Sequence, residues 1–236
     1  MSTPRTLRRF LQIAMQPLGS TMYVWGGGWN EADDGAGPEA RRLSPSPRWA
    51  EFCAAQGPAY DFRTTRFQLH DGLDCSGFVG WAVYNLMETE DGRPGYVCKA
   101  NDQAALLAKR GWGRLLPPGK AGHRRPGDIF SGAGHVYIAL GQCADGSALI
   151  LHASPPGVQL SGTGTPAGGP HSQAEVLAAQ TMKRCFPAWY ARYPDNVRGS
   201  HYLTDFARLR WHSAVLPDPD GLRRLPPDRL LERLLP

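Results

Sequence analysis

Apolar positions along the chain recur in two patterns, a helical spacing of three and four residues and short uninterrupted runs. Leu7, Phe10, Leu11 and Ala14 follow the helical spacing and predict an amphipathic first helix. The spacing returns at Phe78, Val79, Ala82, Val83, Leu86 and Met87, predicting a helix with one buried face that ends before an Asp91-Gly92-Arg93-Pro94-Gly95 turn. A shorter helix is predicted through Gln103, Ala104, Leu106, Leu107 and Lys109, capped by Asn101 or Asp102 and stopped by Gly111. The uninterrupted runs Gly134 to Gly141 and Ala148 to Ala153 flank Asp145-Gly146 and predict a β-hairpin. Arg125-Pro126-Gly127-Asp128 predicts a tight turn into a strand at Ile129-Phe130, and Phe206 to Trp211 reads as a last strand. Tyr23-Val24-Trp25 reads as a short extended segment running into Gly26, Gly27 and Gly28.

Two stretches break these patterns. From about 30 to 72 the chain turns to Gly, Pro, Ser and charge, with only Arg48 to Gln56 helical in character, and from about 162 to 202 Pro, Gly and aromatic residues such as Trp189, Tyr190 and Tyr193 take over. Both read as insertions in a single domain spanning 1–236. The tail 226–235 predicts a short helix started by proline, whose leucines dock on the domain. Helices, a hairpin and further short strands together indicate an α+β fold.

The chemistry gathers at Leu73-Asp74-Cys75-Ser76-Gly77-Phe78. Asp74 fits the N-cap of the Phe78 helix, which puts Cys75 in the first turn, where unpaired N–H groups and the helix dipole favour a thiolate. Gly77 and Gly80 leave room beside it. The Asp74 carboxylate opposes that effect, so activation requires a base from elsewhere. The hairpin supplies candidates. A turn centred on Asp145-Gly146 pairs residue 152 with 139, and one centred on Ala144-Asp145 pairs it with 137. Both put His135 and His152 on one face, whereas a slip of one residue separates them. A thiol, an imidazole base and a polar group orienting that imidazole form the layout of nucleophilic thiol catalysis, with Cys75, His135 and His152 in those roles. Cys53, Cys98, Cys143 and Cys185 lie in no such context, and His70, His123, His171, His201 and His212 read as structural hydrogen-bonding groups.

Composition narrows the alternatives. The chain has 236 residues, 42% hydrophobic and 20% charged, with no apolar run long enough to span a bilayer. A net charge of +5 spread along the chain gives no nucleic-acid signature, and five cysteines without paired spacing give neither a disulfide framework nor a metal site. No cofactor is expected, and the oligomeric state is not readable. Arg5, Arg8 and Arg9 before a short apolar run resemble an export leader, but Gln12, Gln16 and Pro17 interrupt it. The expected compartment is therefore the cytoplasm by default, with export by a dedicated machine or a phage-associated role as alternatives.

In their order, four stretches resemble the NlpC family of bacterial cell-wall cysteine peptidases: Tyr23 to Gly27, Asp74 to Phe78, Arg125 to Phe130 and Gly134 to Gly141. His152-Ala153-Ser154 resembles the family's third catalytic position. The resemblance covers about half the chain. It implies a papain-like core with the nucleophile helix packed on an antiparallel sheet, here carrying two large insertions. It further implies hydrolysis of peptidoglycan stem peptides at a γ-D-glutamyl-diaminopimelate type bond, with Cys75 as nucleophile, His135 as base and His152 as orienting residue. By the same resemblance the Cys75 N–H and the Tyr23 hydroxyl stabilise the oxyanion, Asp74 and Ser76 line the subsite for the first residues of the stem, and Trp25 belongs to the same wall. Core packing is an equal reading for Tyr23 and Trp25. Two other functions fit the same residues: acyl transfer, thioester or amide hydrolysis on a substrate outside the cell wall, and an inactive binding module.

Overall fold

A computed structural model describes residues 4–64, 69–87, 94–119, 122–169 and 171–235. Residues 91–93 of the turn expected after the Phe78 helix lie outside them. The described residues form an α+β fold with seven α-helices and one nine-stranded mixed sheet: α1 Leu7–Met15, β1 Met22–Tyr23, α2 Pro47–Ala55, β2 Gly72–Leu73, α3 Cys75–Met87, α4 Gln103–Lys109, β3 Gly113–Leu116, β4 Ile129–Gly132, β5 His135–Gln142, β6 Ala148–Ser154, β7 Gly157–Thr163, α5 Gln173–Cys185, α6 Pro187–Arg192, β8 Val197–Arg198, β9 Ala207–Trp211 and α7 Pro227–Leu234. The strand order is β2-β1-β7-β6-β5-β4-β9-β3, with β8 on β7. An antiparallel sheet is the sequence expectation. The sheet is mixed because β1 pairs β2 in parallel and β7 pairs β8 in parallel. Each pair is joined by a long connection that carries the chain back to the end at which the first strand began. Among the described residues no helix is long and apolar enough to cross a membrane.

The sheet is apolar on both faces. Val136, Ile138 and Leu140 of β5 and Leu149 and Leu151 of β6 join Leu7, Phe10, Leu11, Phe78, Val79 and Ala82 in the main core, all fully buried. On the reverse face Tyr137, Ala139, Ala148 and Ile150 pack with Phe130 under Phe206, Tyr202 and Leu203. This two-sided burial explains why both hairpin strands read as unbroken apolar runs. It also corrects the reading of α3, in which every residue from Cys75 to Met87 except Tyr84 is buried. The helix contacts α1, β5, β6 and the 3-10 turn Glu39–Arg41, so it is a central helix with no solvent face.

The hairpin register combines two settings. Near the turn Gly141 pairs with Leu149 and Gln142 with Ala148. Beyond it Ala139 pairs with Ile150 and Ile138 with Leu151, with a β-bulge between Ala139 and Gly141. Continued without the bulge, the turn's register would set residue 152 opposite 138 and send the two histidines to opposite faces. The extra residue, Leu140, corrects the count, so 152 falls opposite 137, the second of the two registers foreseen from the sequence. Gly141 holds the bulge at φ 132°, where a side chain is strained.

Both irregular stretches carry structure. Residues 30–72 contain the 3-10 turn, α2 and β2, and α2 seats Trp49 edge-on to Trp81 of α3 at 5.8 Å between ring centroids. In the second stretch β7 continues to Thr163, after which α5, α6 and β8 follow. The sequence signal for α5 was the capping box at Ser172 and Glu175, which closes in both directions. Leu230 and Leu231 of α7 are buried, and α7 rests on α1 and β5.

Candidate active site

Three segments meet at the start of α3. The Asp74 carboxylate accepts the Gly77 N–H at 2.6 Å and the Ser76 hydroxyl at 2.9 Å, which makes it the N-cap. Ser76 Oγ in turn accepts the Trp29 indole N–H at 2.9 Å, and Asp74 N–H donates to Gly27 O at 2.9 Å. The glycine-rich stretch after Tyr23 is thereby tied to the cysteine motif. Cys75 is 6% exposed and lies on the wall of a groove of about 330 Å3, together with Tyr23, Trp25, Asp74 and Ser76. Trp29, Lys99 and Asn101 line the same groove and went unrecognised as site residues in the sequence.

The position of the thiol follows from an opening in the sheet. Ala139 N–H donates to Asp128 O on the β4 side, so by alternation the Ile138 and Val136 N–H groups face β6. The β5–β6 ladder ends at Ile138 and Leu151, although both strands run on beside their other neighbours. The Val136 N–H is thus left without a strand partner and lies toward the Cys75 sulfur, where it favours the thiolate. On the next residue of β5, His135 Nε2 lies 2.8 Å from His152 Nδ1, with the rings nearly perpendicular at 76°. His152 Nε2 lies 2.9 Å from Ser161 Oγ of β7. Ser161 and His152 are fully buried, and Tyr202 packs edge-on against both imidazoles at 5.8 and 6.3 Å.

This line fixes the proton positions. For His135 Nδ1 to accept a proton, Nε2 must carry one and donate it to His152 Nδ1. His152 then holds its own proton on Nε2 and donates to Ser161. The sequence foresaw neither Ser161 nor Tyr202. Ser161 belongs to an alternation in which Val158 and Leu160 face the main core while Gln159, Ser161 and Thr163 are buried polar residues on the other face.

No family model, curated protein or solved structure matches this chain.

The electrostatics keep the resting groups neutral. Burial raises the Cys75 thiol above its ordinary range and the Asp74 carboxylate adds to the effect, against N–H groups of Val136, Ser76 and Cys75 itself. Burial pushes His135 down to about 3 and also lowers His152, with the Arg198 guanidinium of β8 adding to both shifts. These shifts favour the neutral thiol and the neutral imidazoles over their ions. Burial together with Cys75 and Asp74 also raises the Tyr23 phenol, so its O–H stays available as a donor.

Asp74 is itself pushed up to about 6, by burial. The folded value exceeds the unfolded value of about 3.9, so ionising Asp74 costs stability as pH rises from about 4 to 6. Asp74→Asn keeps an oxygen for Gly77 and Ser76 and removes the charge. Thermal unfolding should find the variant about 2 kcal/mol more stable than wild type at pH 8, a gain that closes below about pH 4. A buried carboxylate kept at such a cost beside a cysteine thiol is characteristic of a functional site.

Two expectations need correction. Asn101 does not cap α4, because its Oδ1 accepts the Gly134 N–H at 2.7 Å and so pins the turn just before His135. Asp102 occupies the cap position without a side-chain bond, and the Ala104 N–H is instead satisfied by Ser131 of β4 at 3.1 Å. Trp25 is not core: it is 45% exposed at the groove and stacks on Phe62 at 20°. The five cysteines are all free.

Proposed function

We propose that this chain is a cysteine endopeptidase or amidase of the NlpC type that hydrolyses bacterial cell-wall stem peptides at a γ-D-glutamyl-diaminopimelate type bond. The reading rests on one observation above all, the line His135–His152–Ser161 beginning one residue from the Val136 N–H that favours the Cys75 thiolate. In this reading α3 and the central strands are a papain-like core, and the stretches 30–72 and 162–202 are insertions, the first of which reaches the groove at Asp33.

Catalysis then proceeds in balanced steps. As the Cys75 sulfur attacks the scissile carbonyl, its proton passes to His135 Nδ1, and His152 holds the ring in place. The oxyanion is met by the Cys75 N–H, free in the first helical turn, and by the Tyr23 O–H. When the C–N bond breaks, His135 returns the proton to the leaving amine, and a thioester remains on Cys75. Water attacks that thioester as His135 takes its proton, and the thiol is restored. The groove carries both signs of charge, Asp33 and Asp74 against Lys99, which suits a substrate bearing both amine and carboxylate groups.

The test is incubation of the purified chain with γ-D-glutamyl-diaminopimelyl peptides and with crosslinked sacculi, counting new amine termini. Wild type should release them, and Cys75→Ala should lower the rate by at least roughly 10^3-fold. Undiminished release by the variant, or none by wild type, rejects the reading.

A further inference from the structure

Arginines scattered through the sequence gather at the end of β4 remote from His135. There the Arg125-Pro126-Gly127-Asp128 turn is flanked by two adjoining clefts of about 800 and 400 Å3, which share Arg125, Ser213 and Arg223. The larger also takes in Arg224 and Asp218, the smaller Arg114 and Arg210. Five guanidinium groups thus face the clefts against one carboxylate on the walls, with a second, Asp128, buried beneath them.

Both carboxylates are already engaged. Asp128 is gripped by Arg210 at 2.9 Å and accepts the Arg125 N–H, and Asp218 uses one oxygen for the Leu222 N–H and the other for the Arg223 N–H. Arg223 donates to Leu216 O. Among the described residues the guanidinium groups of Arg114, Arg125 and Arg224 make no hydrogen bond or ion pair. Burial lowers the pKa of Arg223, Asp218 and Asp128 oppose that, and Arg125 and Arg210 add to the lowering, so like charges repel one another across the clefts. A bound anion relieves that repulsion.

We propose that these clefts bind a chain of phosphates without bases. Guanidinium groups match phosphate oxygens in paired hydrogen bonds. Two clefts bridged by Arg125 and Arg223 offer room for several phosphates in a row rather than one. Nucleobases would find no large aromatic ring to stack on: Trp211, in the smaller cleft, is 6% exposed and donates its indole N–H to Gly127 O, which leaves only the imidazoles of His123 and His212 on the walls. A site so placed anchors an anionic polymer while the groove over Cys75 stays open.

The test is calorimetric titration of the full chain with sodium tripolyphosphate, orthophosphate and a base-bearing oligonucleotide of three phosphates, in low and in higher salt. Tripolyphosphate should bind at least tenfold tighter than either of the others and weaken steeply with salt. Arg125→Ala combined with Arg224→Ala should lower its affinity at least tenfold without changing the melting temperature. Lys183→Ala combined with Arg184→Ala, an equal loss of charge on α5, should leave the affinity unchanged. No binding by wild type, equal loss in both double variants, or tighter binding of the oligonucleotide overturns the proposal.

Discussion

His135→Ala should lower peptide turnover by roughly 10^3- to 10^4-fold with the fold intact, because His152, the other imidazole of the line, has both ring nitrogens engaged by His135 and Ser161. The dependence is steep because the resting thiol is held neutral by burial and by Asp74, so attack without a proton acceptor means forming a bare thiolate in a dry, anionic setting. Changes at His152 should grade by hydrogen bonding. In His152→Leu the His135 Nε2–H loses its acceptor and the ring its fixed tautomer, and turnover should fall nearly as far. In His152→Gln a side-chain oxygen can accept that proton and should recover part of the loss. Steady-state rates for the three variants, with circular dichroism to confirm folding, check the order.

Gly77→Ala should produce the largest loss of stability of any single methyl addition at the site. A Cβ on Gly77 would lie 1.9 Å from Gly27 O and 3.1 Å from Gly28 Cα. In the other direction, a Cβ on Gly28 would lie 2.6 Å from Gly77 Cα. Two backbones are thus in direct contact where the glycine stretch crosses the first turn of α3. Backbone atoms cannot swing aside as a side-chain tip can, so the helix start must move. The cost should be about 3 kcal/mol or more, a fall in melting temperature of roughly 6 to 12 °C for a chain of this length. Because the same movement carries Cys75 away from Val136, activity should fall even at temperatures where the variant remains folded. Scanning calorimetry alongside turnover at 15 °C tests both parts.

What the sequence could and could not disclose follows from burial. Helices α1 and α4 announced themselves by spacing and stop signals, and the hairpin by its turn. The hairpin's register was left with two options because β5 is buried on both faces, and an unbroken apolar run carries no phase to say which residues share a side. The bulge at Leu140 that decides the matter leaves no compositional mark beyond Gly141. In β7 polar residues face inward to bond His152 and the Asp195 carbonyl, so its alternation does not read as core against solvent. Short edge strands such as β3, with Leu115 exposed, lack enough residues for any period to register. The arginine clefts were invisible for another reason: their members come from four separate segments, and only the fold brings them together.

The central claim is that Cys75 takes up the acyl half of the substrate while His135 carries the proton. Acid-quenched reactions with a γ-D-glutamyl-diaminopimelyl peptide, digested and weighed by mass spectrometry, address it directly. The account predicts a γ-glutamyl increment on the peptide containing Cys75 in wild type, sharply reduced in His135→Ala. Peptide cleavage with no increment at Cys75, or an equal increment on another residue, would contradict it.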